Sequence, residues 1–174
     1  MEFSELIKKR CSVRDFDLNK KIDKLMIEKL IAEAILAPSE GNLQPWFFAI
    51  ILSQSIKLKL YQASFKQEAI KNAPALIVTC INKEKTFYQY GSRGVNLYAI
   101  QSTALATYQL WLAAVDKGLA GCWIGAFDED KVKEILDLDE NLRPVVILSL
   151  GYPKFEPKNT ERLELNKVIK CFEE

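Results

Sequence analysis

Apolar and polar positions along the chain switch repeatedly between helical and extended spacing. Phe3, Leu6 and Ile7 recur at helical intervals ahead of Lys8, Lys9 and Arg10, which predicts a short helix ending near Cys11-Ser12-Val13-Arg14. Asp23 stands where it can cap a second helix through Leu25, Met26, Leu30, Ile31, Ala34 and Ile35, which Pro38 should stop. Residues 38–45 read as a loop and 46–52 as an aromatic, β-branched buried strand. Leu58, Leu60, Tyr61 and Phe65 follow at helical spacing, with a further turn over 67–72. The apolar run 75–81, introduced by Pro74, has the pattern of a central strand. Residues 83–94 are polar with interspersed aromatics and suit a mobile loop or a loose helix.

Residues 95–117 predict one long helix, rich in Ala, apolar almost all round and closed by Gly118. That places it in the core or in a dimer interface. Two more strands are expected at 120–124 and 145–150, with a helix capped by Asp128 between them. The tail beyond Gly151 is polar but carries Leu163, Leu165, Val168 and Ile169, the pattern of an arm that packs on a partner. The alternation of elements predicts an α/β or α+β sandwich. With no linker or repeat, 1–174 reads as a single domain.

Composition narrows the function classes. Lys plus Arg number 24 against 23 Asp plus Glu, so a net charge of +1 gives no long-range attraction to nucleic acid or an acidic membrane. No apolar run approaches the ~20 residues that span a bilayer, and the N-terminus lacks the apolar segment of a leader, so a cytoplasmic location is expected. His is absent, which removes Ser-His-Asp and Cys-His hydrolysis and His-ligated metals. Cys11, Cys80, Cys122 and Cys171 form no C-x-x-C pair; they read as small buried residues in a reducing compartment, and no metal site is expected.

Three segments share a chemical theme. Arg10-Cys11-Ser12-Val13-Arg14 offers two guanidiniums and a hydroxyl at a helix end, either a forked donor set for an anion or charge complementing the helix dipole. Pro38-Ser39-Glu40-Gly41-Asn42-Leu43-Gln44-Pro45-Trp46 places hydroxyl and amide groups on one loop, either to read a ligand or to bond local backbone. Gly118-Leu119-Ala120-Gly121-Cys122-Trp123-Ile124-Gly125-Ala126-Phe127 flanks a strand with small residues, for close approach of a flat ligand or for close packing.

Together these segments resemble the R-x-S-x-R, P-S-x-x-N-x-Q-P-W and G-L-x-x-C-W-I-G-x-F elements of the nitroreductase family of flavoproteins. The likeness continues in order through Tyr90-Gly91-Ser92-Arg93-Gly94, the long helix, Leu150-Gly151-Tyr152-Pro153 and Arg162. The resemblance implies an α+β nitroreductase-like fold, a central mixed sheet flanked by helices, and an intertwined homodimer with FMN at the subunit interface. It implies that Arg10, Cys11, Ser12 and Arg162 surround the FMN phosphate and ribityl chain, and that Arg14 lies beside the ring edge where negative charge gathers on reduction. It assigns Pro38, Ser39, Asn42 and Gln44 to a loop reaching the flavin from the other subunit. Gln67 falls at the pyrimidine edge, and Ile124 and Gly125 fall over the ring, with the Gly125 N–H as donor to N5.

The implied activity is transfer of electrons from NADH or NADPH through FMN to a nitroaromatic, a quinone or a similar small acceptor. No side chain acts as acid or base. A flavin carrier, a reductive dehalogenase of the same fold and a domain without cofactor are the competing readings. Ser102 and Gln109 stand where close relatives carry an acidic residue and Asn, and they read as structural. Glu40 is expected on the substrate side, where its charge would discourage anions, and the 87–93 stretch corresponds to a variable substrate lid in which Tyr88, Tyr90 and Arg93 could orient a substrate or pack the dimer.

Overall fold

Local capping chemistry fixes where several helices start. In the computed structural model, which describes residues 1–158 and 160–173, a short helix α1 (Phe3–Lys9) is followed by α2 (Lys24–Ala34). The Asp23 carboxylate accepts from the Met26 N–H at 2.7 Å, satisfying a donor that the first turn leaves free. Strand β1 (Trp46–Ile51) leads into α3 (Gln54–Ala63), which ends where Phe65 and Lys66 take left-handed backbone at φ 53° and 59°. Phe65, expected on a helix face, is therefore outside the helix and exposed. A single turn α4 (Glu68–Lys71) precedes β2 (Ala75–Asn82).

Residues 83–93 form a true helix, α5 (Lys83–Arg93), because the Asn82 side chain caps it from the Lys85 N–H; Gly91, at φ 57°, breaks its last turn. Gly94–Tyr98 takes π-helical form, so the regular long helix α6 (Ala99–Asp116) starts later than the apolar pattern suggests. Gly118, at φ 79°, closes it. Strand β3 (Ala120–Ile124), helix α7 (Glu129–Leu136) capped by Asp128, and strand β4 (Leu142–Gly151) complete the frame. Strand β4 begins before Pro144, which stands opposite Cys80 at an irregularity where the register shifts between Thr79 and Cys80, the kind of place in a sheet where Pro is found.

The strands lie in the order β1-β2-β4-β3 and every neighbouring pair is antiparallel, so the sheet is not mixed as expected. The reason is that β4 inserts between β2 and β3, which run parallel to each other but never pair. Among the described residues, parallel pairing survives only in the isolated bridge Ser12–Gly121. Helices cover both faces of the sheet. Leu76, Val78, Cys80 and Ile147 pack with Leu60, Ile70 and Val132 on one face, and Ala75, Ile77, Leu148 and Leu150 pack with Ile27, Leu30, Leu110 and Trp111 on the other. Burial on both faces is why β2 reads as an uninterrupted apolar run although the sheet is antiparallel. Cys11, Cys80 and Cys122 are buried thiols, whereas Cys171 is exposed on the tail, contrary to its expected burial.

Candidate functional site

The segment after α1 is extended at Arg10, and Ser12 then bridges Gly121 while the Val13 N–H donates to the Gly121 carbonyl at 2.9 Å. Gly121 is itself closely packed against β4 and α6: a Cβ there would lie 2.6 Å from the Ser149 carbonyl oxygen and 3.1 Å from Trp111 Nε1. The strip 10–14 is thereby laid along the outer edge of β3. Farther on, Phe16 bridges Pro153 and the Lys154 N–H donates to the Asp15 carbonyl.

Arg10 is the best-held cation of this strip. Its guanidinium lies 4.6 Å above the Trp111 ring, and its Nε is buried with no hydrogen-bond partner. A buried donor left unpaired costs about 1–3 kcal/mol, so the position is receptive to an acceptor. Arg10 lines a cavity of about 310 Å³ with Ile7, Lys8, Thr160 and Arg162. Arg162 is oriented from behind, its Nη1 donating to the Thr160 carbonyl at 3.0 Å and the Thr160 hydroxyl at 2.6 Å. Among the described residues Lys8, Arg10, Arg14 and Arg162 form no salt bridge. The cavity thus gathers three cations from the two ends of the chain and no anion, the donor set that a phosphate requires. Lys8 is a member that sequence reasoning missed, because its place in the last turn of α1 already suits the helix dipole. Cys11 lines a different cavity, of about 120 Å³, with Lys9, Leu119 and Pro153.

A second cluster forms at the C-terminal end of β3. Arg14 follows Val13, whose N–H bonds Gly121 on β3; burial pushes the Cys122 thiol above its ordinary pKa, and the positive charge of Arg14 opposes that rise. The Gln67 side-chain amide donates to the Ala126 carbonyl at 2.8 Å, bringing Gln67 next to Ile124 and Gly125. Ile124 is buried, but Gly125 is exposed and a Cβ built on it would meet nothing within 4 Å. Nothing in the fold itself requires glycine there, so the position leaves room for something laid against the backbone.

The loop 38–45 has a different character. Asn42 and Gln44 take left-handed backbone at φ 57° and 50°. The Gln44 N–H donates to the Ser39 hydroxyl at 2.9 Å, and the Gln44 side-chain amide donates to the Asn42 carbonyl and Asn42 Oδ1 at 3.4 and 3.3 Å. The Ser102 hydroxyl donates to the Glu40 carboxylate and accepts from the Glu40 N–H at 3.3 Å. Glu40 therefore does not point freely toward a substrate as expected: one oxygen holds Ser102 and the other is buried. Gln109 is structural too, its amide donating to the Glu33 carbonyl at 2.6 Å on α2. Pro38 and Ser39 line a cavity of about 210 Å³ with Tyr98, Gln101 and Leu105.

Tyr90, read as either orienting a substrate or packing the dimer, stacks edge-on with Tyr98 at 5.5 Å, and its hydroxyl lies 2.7 Å from where a Gly41 Cβ would stand. Arg93 donates to the Tyr98 hydroxyl at 2.9 Å, and Tyr88 is 94% exposed.

One chain does not unite all the predicted residues. The loop 38–45 feeds β1, whereas Arg10–Arg14, Ile124 and Gly125 lie on or outside β3, at the opposite edge of the sheet. Three strand spacings, about 14 Å, separate β1 from β3. Arg10 and Arg162 share one cavity; Gln67, Ile124 and Gly125 lie together at the end of β3; Pro38, Ser39, Asn42 and Gln44 stand apart.

Comparison with known proteins supplies the frame for this arrangement. The sequence profile described as the nitroreductase family matches residues 7–75 and 61–152. An Archaeoglobus fulgidus protein provisionally named NADH dehydrogenase/NAD(P)H nitroreductase is 31% identical over 159 residues, covering 89% of this chain and 87% of its own. The oxygen-insensitive NADPH nitroreductase of Helicobacter pylori is 26% identical, covering 94% of this chain and 92% of its own. The solved structure of a nitroreductase family protein from Clostridium novyi matches at 37% identity and TM-score 0.79, over 88% of each chain. A protein of Exiguobacterium sibiricum solved in complex with FMN shares the fold at TM-score 0.91 and 24% identity, over 99% of this chain and 98% of its own. The chain belongs to the nitroreductase family of oxidoreductases.

Proposed function

We propose that the protein is an FMN-dependent oxidoreductase that takes electrons from NADH or NADPH and delivers them to nitroaromatic, quinone or similar small acceptors. The observation that carries this reading is the cavity of Lys8, Arg10 and Arg162, with the buried, unpartnered Arg10 Nε and no counter-anion among the described residues. A phosphate monoester fits that donor set, and the open space over Gly125 fits a flat ring laid on the end of β3. Both features belong to one strip and one strand, so a single ligand with a phosphate at one end and a planar system at the other satisfies them together.

FMN, when bound, supplies the electron-accepting ring, and the chain supplies everything that positions it. Arg10, Lys8 and Arg162 bind the phosphate, with the Trp111 ring holding the Arg10 guanidinium and Thr160 holding Arg162. Arg14 sets a cation at the far end of the strip, where it favours the more negative form of whatever it faces. Gln67 braces the Ile124–Ala126 turn, so the Gly125 backbone N–H keeps its direction. The separation of the Pro38–Gln44 loop from this site supports a homodimer in which the partner's loop completes it. Leu105 and Tyr108 on α6, and Leu163, Leu165, Val168 and Ile169 on the tail, are exposed apolar groups suited to such an interface. Among the described residues no helix is long and apolar enough to cross a membrane, and the free thiols suit a reducing cytoplasm.

The test is an anaerobic visible spectrum of the protein incubated with FMN or with riboflavin, followed by NADH and then NADPH. Tight FMN binding, much weaker riboflavin binding and bleaching by a nicotinamide donor are expected. Failure to bind FMN, or binding that ignores both donors, would overturn the reading.

A further inference from the structure

A cavity of about 470 Å³ lies between the segment 18–22, the end of β1 and the start of β2. It shares no lining residue with the Lys8–Arg10–Arg162 cavity. Four lysines line it, Lys20, Lys21, Lys57 and Lys71, and no carboxylate does. Lys57 is the unusual one. It is only 6% exposed, and its ammonium donates to the Ala73 and Pro74 carbonyls at 2.9 and 3.2 Å. An ammonium carries three donors, so one N–H remains beyond these two bonds.

Lysine is almost never buried without a countercharge, yet among the described residues Lys57, Lys21 and Lys71 form no ion pair, and only Lys20 meets an acid, Asp17 at 3.8 Å. Burial pushes the Lys57 ammonium below its ordinary pKa, as expected of a cation whose charge nothing nearby balances. The apolar wall is supplied by Leu18, Ile22 and Leu52.

We propose that this cavity binds a phosphate monoester of a small organic molecule, its phosphate on Lys57, Lys21 and Lys71 and its apolar body against Leu18, Ile22 and Leu52. A phosphate offers three strong acceptor oxygens and close to two negative charges near neutral pH, which matches one buried and two surface ammonium groups. Inorganic phosphate satisfies the lysines but leaves the apolar wall bare, so the monoester is the better complement.

Calorimetric titration of the full-length protein, with and without added FMN, tests the site with phenyl phosphate, inorganic phosphate and phenol as probes. With FMN filling the Lys8–Arg10–Arg162 cavity, phenyl phosphate should bind at one further saturable site per chain, more tightly than inorganic phosphate, while phenol should not bind. Lys57→Met, which keeps the stem and removes the charge, should weaken phenyl phosphate by about tenfold or more, the size of one charge-assisted hydrogen bond. The double variant Lys21→Ala/Lys71→Ala alters only exposed side chains. It decides the matter if Lys57→Met does not fold, and should weaken binding by about threefold or more. Arg10→Ala should leave the affinity unchanged. Absence of saturable binding, equal binding of inorganic phosphate or phenol, an unaffected double variant, or loss of binding in Arg10→Ala would each overturn the proposal.

Discussion

The strip 10–14 and the loop 38–45 are both rich in polar side chains, and they use them in opposite ways. In the strip and its cavity the strong donors are left open: Arg10 Nε has no partner, and Lys8, Arg10, Arg14 and Arg162 lack counter-anions among the described residues. In the loop, Ser39, Asn42 and Gln44 bond one another, and Glu40 bonds Ser102. On the proposed reading the first region is a receptor for charge, whereas the second is a shape held by its own bonds. A polar motif can therefore matter by binding or by folding itself, and the hydrogen-bond partners separate the two.

The sharpest way to break this contrast is to compare Arg10→Ala with Asn42→Ala. Arg10→Ala should weaken FMN about 100-fold, the worth of a bidentate charge-assisted pair, with riboflavin affinity little changed. Asn42→Ala should move both flavins together and far less. Fluorescence titration reads both, and an Asn42 effect as large and phosphate-dependent as that of Arg10 would erase the distinction.

Next in size is Gly121→Ala, whose Cβ would meet the rigid Ser149 carbonyl at 2.6 Å. A loss of roughly 2–3 kcal/mol in denaturant unfolding is expected, together with weaker FMN binding as Trp111, which holds the Arg10 guanidinium, is displaced.

The sheet between the two regions gives a pH test. Burial pushes the Cys80 thiol up to about 12, while the unfolded chain releases that proton near pH ~8.5. The buried neutral thiol contributes stability fully below the unfolded value, and that contribution falls as pH rises through the window up to about 12. By pH 10 about 2 kcal/mol should be lost, a loss that Cys80→Ala removes when chemical unfolding is compared at pH 8 and 10.

Smallest is Gly41→Ala in the loop. Gly41 sits at φ 51°, and the neighbour that its Cβ would meet is the movable end of Tyr90. A cost of about 1 kcal/mol in stability is expected, with phosphate-dependent affinity preserved.

How much of this could be read from the sequence depended on whether a pattern answers to local or to distant partners. Helix α2, helix α7 and strand β2 were legible because the Asp23 and Asp128 caps and two-sided burial act within a few residues. The order of the sheet was not, since β4 enters between β2 and β3 from later in the chain, and no local signal marks that insertion. Helix α5 hid behind polar residues because its start is set by a single Asn82 bond and its end by Gly91. At the site, Arg10, Arg14 and Arg162 were picked out by motif. Lys8 was invisible because an ordinary helix end accounts for it equally well, and only the approach of Thr160 and Arg162 reveals its second role. The internal bonding of Gln44 and Asn42 was likewise hidden, since composition cannot tell an amide facing a ligand from one facing its own loop.

The cavity joining Lys8 and Arg10 to Arg162 also sets a timetable. Lys8 and Arg10 stand far ahead of Arg162 in sequence, and the segment 12–17 that follows them is held by Gly121, Tyr152 and Pro153, which are themselves late. During synthesis the first cations leave the ribosome long before their partner exists, and closing so long a loop is slow as well as late. On the proposed reading, capture of the phosphate therefore waits until synthesis has passed Arg162 and the sheet has closed.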